Sequence, residues 1–232
     1  MMEQGERALV AAGSRTETVR ARAVLFDMDG TLADTQRFVL DVQRQVMAGV
    51  LGRPVSGAEV RRGFGLSEPG AMRLICGARG DEAYEAYAAR LEREHAVLCP
   101  APVPGIAALL EELSARGLPL GVISGRSRRT LEISLRFFGF DRYFSYIGGG
   151  DPEREVKDER AREAFRRFGL GPEEVVYVGD TVADVRFSHG VGMRVAAVSY
   201  ASFDGREALR QAEPDFLCDS VARLRDVLLA LL

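Results

Sequence analysis

The sequence predicts a doubly wound α/β fold with a parallel sheet and a helical segment inserted after the first strand. Two observations predict it. Short, continuous apolar runs, typical of strands buried on both faces, alternate with segments of helical periodicity. The alternation is interrupted once, between residues 37 and 101, where helical patterns occur without a convincing strand.

The elements follow in order along the chain. Apolar runs predict strands at residues 23–26, 118–124, 143–147, 175–178, 194–198 and, more weakly, 216–218. Apolar residues at three- and four-residue spacing predict helices at 105–116, 128–138, 158–168 and 221–231, and at 82–97 within the insertion. A proline-rich segment, residues 99–105, reads as a stiff return from the insertion.

This order predicts three parts. Residues 1–21 form a flexible N-terminal extension, 22–36 and 102–232 form a Rossmann-like catalytic core, and 37–101 form an α-helical cap domain. A cap in this position would cover the carboxyl edge of the sheet, where ligands bind in open α/β folds.

Composition excludes several classes of function. With 232 residues, 47% of them hydrophobic and 28% charged, the chain is an ordinary globular protein with a sizeable core. A net charge of −3 gives no electrostatic footprint for nucleic acid, and no apolar run is long enough to cross a membrane. The N-terminal segment has no apolar stretch of signal-peptide length, so we expect a cytoplasmic protein.

The first acidic motif is Asp27-Met28-Asp29-Gly30-Thr31, directly after the first strand. Side chains alternate along an extended chain, so Asp27 and Asp29 are expected on the same side. Two carboxylates at the exit of a buried strand are costly unless a cation or hydrogen-bond donors compensate them. The motif alone is equally consistent with a solvated Asp-Gly turn.

A second strand ends in the same way. Gly179-Asp180 follows residues 175–178, and Asp184 comes four residues later, near Asp180 if a helix begins there. One of these acids alone could simply cap a helix. Two strands that each end in two acids would gather four carboxylates at one sheet edge, a set of oxygen ligands that suits Mg²⁺.

Two further residues are candidates for binding phosphate. Ser124-Gly125 ends the second strand and offers a hydroxyl and an open backbone N–H, although strand-Ser-Gly is more often only a turn. Lys157 is the single lysine beside 30 arginines. A solvated surface lysine is the plainer interpretation, but a compact point charge is a role that arginine does not fill well.

With these residues, the chain from about residue 22 onward resembles the haloacid dehalogenase-like hydrolase superfamily, in its phosphoglycolate-phosphatase-like branch with an α-helical cap. The four motifs of that family stand in order at residues 27–31, Ser124, Lys157 and 179–184. The first and last are highly specific, and the middle two match by position only. Relatives usually carry proline after the motif lysine, where this chain has Asp158.

The resemblance implies a Mg²⁺-dependent phosphatase that acts on a small phosphomonoester, phosphoglycolate-like or a sugar phosphate. It implies that Asp27 is the nucleophile, that Asp29 is the general acid and base, and that the reaction passes through an aspartyl-phosphate. The metal ligands implied are Asp27, Asp29, Asp180 and Asp184. The phosphoryl group would be bound by Thr31, Ser124, Gly125 and Lys157.

Several alternatives stay open from the sequence. Asp29 argues against dehalogenase and phosphonoacetaldehyde hydrolase relatives, which lack this acid. A phosphosugar mutase, a pyrophosphatase and a nucleotidase all remain compatible, as does a regulatory or binding protein that kept the fold. The expected partner is a small phosphorylated metabolite, with no nucleic acid and no membrane. Arg61 and Arg62 of the insertion are candidates for a substrate carboxylate or second phosphate, or simply a solvated pair.

Overall fold

The centre of the molecule is a six-stranded sheet in which every neighbouring pair is parallel. The structure, a computed structural model, describes residues 19–232 apart from the side chains of residues 37 and 38. In chain order the strands are β1 (Ala23–Phe26), β2 (Leu120–Ile123), β3 (Tyr146–Gly148), β4 (Val175–Gly179), β5 (Arg194–Val198) and β6 (Phe216–Cys218). They lie in the order β3-β2-β1-β4-β5-β6, which confirms the predicted fold class. β1 and β4 are neighbours where the strand order reverses, the usual ligand site of such sheets.

The third strand is shorter than the apolar run suggests. The run predicts a strand from residue 143, but the strand begins at Tyr146 because residues 141–143 form a 3₁₀ turn. In that turn the Tyr143 N–H donates to the Phe140 carbonyl oxygen at 3.0 Å. A local hydrogen bond of this kind takes the backbone out of the strand conformation before the sheet is reached.

Four helices lie between β1 and the rest of the core, in the predicted insertion. They are α1 (Gln36–Leu51), α2 (Gly57–Arg61), α3 (Glu68–Cys76) and α4 (Gly80–Leu98). They share a hydrophobic cluster of their own, in which Met72, Tyr87 and Leu91 are completely buried. Ile133 of the core belongs to the same cluster, so the inserted helices are seated on the core. The domain boundaries at residues 37 and 101 stay a prediction.

The remaining helices cover the two faces of the sheet. α5 (Ile106–Ala115), α6 (Arg128–Phe138) and α10 (Val221–Leu231) pack with Val24 and Phe26 of β1 in one cluster. α7 (Lys157–Phe168), α8 (Val182–Gly190) and α9 (Arg206–Gln211) pack with Leu25 in the other. Successive residues of β1 therefore serve opposite faces, and this is why its sequence is apolar throughout.

The predicted flexible extension lies outside the described residues, except for residues 19–21. Across residues 19–232, no helix combines the length and the apolar composition needed to cross a membrane.

Candidate active site

The turn after β1 brings the first acidic motif to the edge of the sheet. The Asp27 N–H donates to the Val178 carbonyl oxygen of the neighbouring β4 at 2.8 Å. Asp27 and Asp29 line the same cavity. Gly30 has a φ of +83°, and a Cβ at this position would lie 2.4 Å from Oδ2 of Asp180. The turn therefore requires glycine both for its backbone conformation and for the approach of the second acidic motif.

The second motif is built into the start of α8. Thr181 is the N-cap residue, and its hydroxyl accepts from the Asp184 N–H at 3.0 Å. Asp184 returns the interaction by accepting from the Thr181 N–H at 3.1 Å and from its hydroxyl at 2.6 Å. This capping box fixes the Asp184 carboxylate at the sheet edge next to Asp180. The two acids are adjacent because the chain turns into a helix directly after β4.

Lys157 reaches the carboxylates from the first residue of α7. Its Nζ donates to Oδ1 of Asp27 at 3.0 Å and to Oδ1 of Asp184 at 2.6 Å. Asp158, which directly follows this lysine, is exposed, and its Oδ2 lies 3.8 Å from Nη2 of Arg162 on the same helix. The ammonium therefore meets both acidic motifs with Asp158 in place.

Asp27, Asp180 and Asp184 form a compact oxygen-rich cluster. Each offers one carboxylate oxygen such that the three atoms lie within 4.8 Å of one another. Oδ1 of Asp180 is buried and accepts no hydrogen bond from any described residue. Gln36 Nε2 donates both to Oδ2 of Asp180 at 2.7 Å and to the Asp29 carbonyl oxygen at 3.2 Å. An unpartnered buried carboxylate oxygen within an all-oxygen donor set fits a hard divalent cation.

The electrostatics of the cluster support this fit. Burial, with the charges of Asp184 and Asp29, raises the pKa of Asp27 to about 7 although Lys157 opposes the shift. Burial and the charges of Asp27 and Asp184 raise the pKa of Asp180 to about 8. Burial lowers the pKa of Lys157, but the charges of Asp184 and Asp27 outweigh this effect and raise the pKa well above its usual value. One ammonium among three buried carboxylates leaves negative charge that a cation would compensate.

Of the other residues predicted to bind substrate, some line the cavity and others do not. Ser124 is buried and lines the cavity with Gly125, and its hydroxyl accepts from the Arg126 N–H at 3.2 Å. Thr31, Arg61 and Arg62 do not line the cavity. Thr31 is buried inside the turn, and its carbonyl oxygen accepts from the Tyr200 hydroxyl at 2.9 Å. The arginine pair is exposed, while Val60 and residues 63–66 on either side line the cavity. Substrate binding by these three residues stays a prediction.

Arg126 is a residue that the sequence reasoning missed. It lines the cavity, is almost completely buried, and its Nη1 lies 3.7 Å from Oδ1 of Asp29. Its Nε lies 3.6 Å from Oε1 of Glu68, which comes from α3 of the insertion. Glu68 also accepts from the Thr130 hydroxyl at 2.6 Å and from the Ser127 N–H. The sequence feature that could have indicated Arg126 is its position two residues after Ser124, at the end of a predicted strand. In a chain with 30 arginines, this position alone does not distinguish it.

The cavity that these residues line has a volume of about 450 Å³. It is lined by the carboxylates that follow β1 and β4, by Lys157 at the start of α7 and by residues of the inserted helices. The arrangement brings together the Asp27 carboxylate, a second acid two residues later, the Lys157 ammonium and a candidate metal site. Such a set can perform substitution at phosphorus.

Comparison with known proteins points to one family. A sequence model described as haloacid dehalogenase-like hydrolase matches residues 24–198. A phosphoglycolate phosphatase of Synechococcus elongatus is 30% identical over 216 residues, which cover 88% of this chain and 95% of that protein. A pyrophosphatase, PpaX, of Bacillus cereus is 25% identical over 212 residues, which cover 90% and 97%.

The fold has close counterparts among solved structures. The structure of CbbY from Rhodobacter sphaeroides in complex with xylulose-(1,5)bisphosphate superposes with a TM-score of 0.72 at 24% identity. The superposition covers 88% of this chain and 96% of that one. At this identity the likeness concerns the fold alone.

Proposed function

The chain belongs to the haloacid dehalogenase-like hydrolase family and is a hydrolase of phosphate esters; from this premise we propose a Mg²⁺-dependent phosphomonoesterase that works through an aspartyl-phosphate. Its motifs place it in the phosphoglycolate-phosphatase-like branch. The observation that carries the proposal is the contact of Lys157 Nζ with both acidic motifs, at 3.0 Å from Asp27 and 2.6 Å from Asp184. This contact puts the proposed nucleophile, Asp27, next to a positive charge that can compensate the phosphoryl oxygens at the edge of the sheet.

In the first step, a carboxylate oxygen of Asp27 attacks phosphorus and the bond to the leaving oxygen breaks. Asp29 gives its proton to that oxygen, so the alcohol leaves neutral. In the second step, water attacks phosphorus of the aspartyl-phosphate, gives a proton to Asp29, and releases phosphate with regeneration of Asp27. Asp29 is held for both roles by the Thr35 hydroxyl, which donates to Oδ1, and by the nearby charge of Arg126.

The remaining residues bind and orient. Lys157, the Ser124 hydroxyl and the Gly125 N–H are proposed to hold the phosphoryl oxygens, which share the cavity with them. Mg²⁺ is proposed to bind Asp27, the Asp29 carbonyl oxygen and Asp180, with Asp184 orienting this set. When bound, the cation would neutralise the charge of the carboxylates and of the transferring group.

The test is release of phosphate from a panel of phosphomonoesters, sugar phosphates, nucleotides and pyrophosphate, with Mg²⁺ or with a chelator. We expect turnover that requires the metal, and none in Asp27→Asn, which should keep the circular dichroism spectrum of the wild type. Asp158→Asn, an exposed carboxylate on α7, is the matched control and should retain activity. Acid-quenched wild-type enzyme should yield a phosphopeptide that contains Asp27.

Three results would contradict the proposal in different ways. Near-normal activity of Asp27→Asn would remove the nucleophile. Isomerised sugar phosphate without net phosphate release would identify a mutase. Inactivity toward the whole panel with Mg²⁺ would favour a binding or regulatory protein.

A further inference from the structure

Most of the side chains with which the insertion lines the cavity beside the carboxylates are apolar, and we call this part of the lining the apolar wall. It is formed by side chains of the inserted helices and the loop after α2, namely Val39, Leu40, Val60, Phe64, Leu66 and Ala71. At about 450 Å³ the cavity falls within the range of about 300–1,000 Å³ of pockets that enclose a whole small molecule. A phosphoryl group bound at the carboxylates leaves much of this space to the alcohol part of the substrate.

Two exposed aromatic rings belong to the same cavity. Phe64 comes from the insertion and Phe203 from the loop after β5, and their exposed fractions are 52% and 57%. Other exposed apolar side chains, such as Leu74 on α3, lie outside the cavity. Two rings on one cavity present apolar surface that a bound ligand would remove from water, which favours binding of an apolar or aromatic group.

The cations that line the cavity are already engaged. Among the described lining residues, Arg126 lies 3.6 Å from Oε1 of Glu68, and Arg160 Nη1 donates to Glu163 at 2.9 Å. Lys157 is held between two carboxylates of the phosphoryl site. A second anionic group on the substrate would have to displace one of these partners, and it would meet the carboxylate of Glu68 near the apolar wall.

We infer that the substrate is a phosphomonoester whose alcohol part is uncharged and apolar or aromatic. This inference rests on the proposed phosphatase function. It sets this chain apart from the relatives named for phosphoglycolate and pyrophosphate, because each of those compounds carries a second anionic group. The phosphate ester lies at the carboxylates, and the alcohol part lies against the apolar wall, which includes Phe64.

The experiment compares kcat/KM for esters of primary alcohols with similar leaving groups. Ethyl, butyl and 2-phenylethyl phosphate differ in apolar area, and 4-(phosphonooxy)butanoate carries a carboxylate in place of the terminal methyl group of butyl phosphate. Full burial is worth about fourfold per methylene, so the two extra methylenes of butyl phosphate should raise its kcat/KM over that of ethyl phosphate by up to about sixteenfold. The carboxylate analogue, phosphoglycolate and pyrophosphate should each fall below butyl phosphate.

A matched pair of variants tests whether the preference for an apolar alcohol part comes from Phe64. Phe64→Ala should lower the ratio of kcat/KM for 2-phenylethyl over ethyl phosphate about fivefold, because the contacting ring is lost. Leu74→Ala, another exposed apolar residue of the insertion, should leave the ratio unchanged. Equal rates for butyl and ethyl phosphate, a preference for the carboxylate analogue, or an unchanged ratio in Phe64→Ala would overturn the inference while leaving the phosphatase assignment intact. Absence of phosphate release from every compound would overturn the phosphatase assignment and this inference with it.

Discussion

Replacing Arg126 by methionine should destabilise the protein by about 3–5 kcal/mol, because it leaves the Glu68 carboxylate buried without its cation. Both side chains are almost inaccessible, with 4% of Arg126 and 3% of Glu68 exposed. The hydrogen bonds from Ser127 and Thr130 to Glu68 remain, so we expect the loss at the lower end of this range. Urea unfolding followed by circular dichroism measures the change in the free energy of unfolding.

Substitution of Glu68 tests whether the loss in Arg126→Met comes from the unpaired carboxylate. Glu68→Gln removes the charge that Arg126 compensates, so the double variant should be less destabilised than the sum of the two single ones, by about 1–3 kcal/mol. The control is Arg129 with Glu85, which also joins α6 to the insertion at 2.7 Å but is 45% and 64% exposed. Arg129→Met should cost no more than about 1 kcal/mol. Equal losses in Arg126→Met and Arg129→Met, or strict additivity with Glu68→Gln, would refute the argument.

Three further predictions follow from the site and the insertion. The raised pKa of Asp180, about 8, means that its protonation stabilises the metal-free fold at lower pH and that this contribution is lost as pH rises through 8. Mg²⁺ must displace this proton, so it should raise Tm more at about pH 8.5 than at about pH 6.5, and this pH-dependent gain should be smaller in Asp180→Asn, where Asp27 with its pKa of about 7 still titrates in this range. Lys157→Arg should lose most phosphate release while keeping its circular dichroism spectrum, because a guanidinium does not fit between carboxylates 3.0 and 2.6 Å from Nζ. Gly49→Ala, at an exposed position in the last turn of α1, should raise the free energy of unfolding by up to about 1 kcal/mol, whereas Gly70→Ala in α3 should lower it, because its Cβ would lie 1.9 Å from the Pro152 carbonyl oxygen.

The sequence was most informative where local pattern and burial coincide. β1 is buried and apolar throughout, and it begins and ends at the predicted residues. β5 and β6, which are less completely buried, also have the predicted bounds. Helices α6 and α10 also agree with prediction, because each begins after a serine whose side chain accepts from the backbone of the first turn. The approach of the two acidic motifs followed from the topology, since parallel neighbours end at the same edge.

Contacts between distant segments were beyond sequence reasoning. Glu68 and Arg126 are 58 positions apart, and each sits among residues with no distinctive spacing. Their pairing depends on how α3 is seated over the start of α6, which no local pattern encodes. Anion binding by the arginine pair at 61–62 stays a prediction, and the neighbouring residue that lines the cavity is the apolar Val60.

Lys157 also gives the protein an unusual surface chemistry. It is the chain's sole side-chain amine, and it lies inside the proposed catalytic cavity. Reagents that acylate lysine therefore have one side-chain target, so coupling a dye or a resin through that target should inactivate the protein. The two adjoining carboxylates keep the amine protonated and slow to react. The rate of acylation at Lys157 would then report how often its ion pairs with Asp27 and Asp184 open.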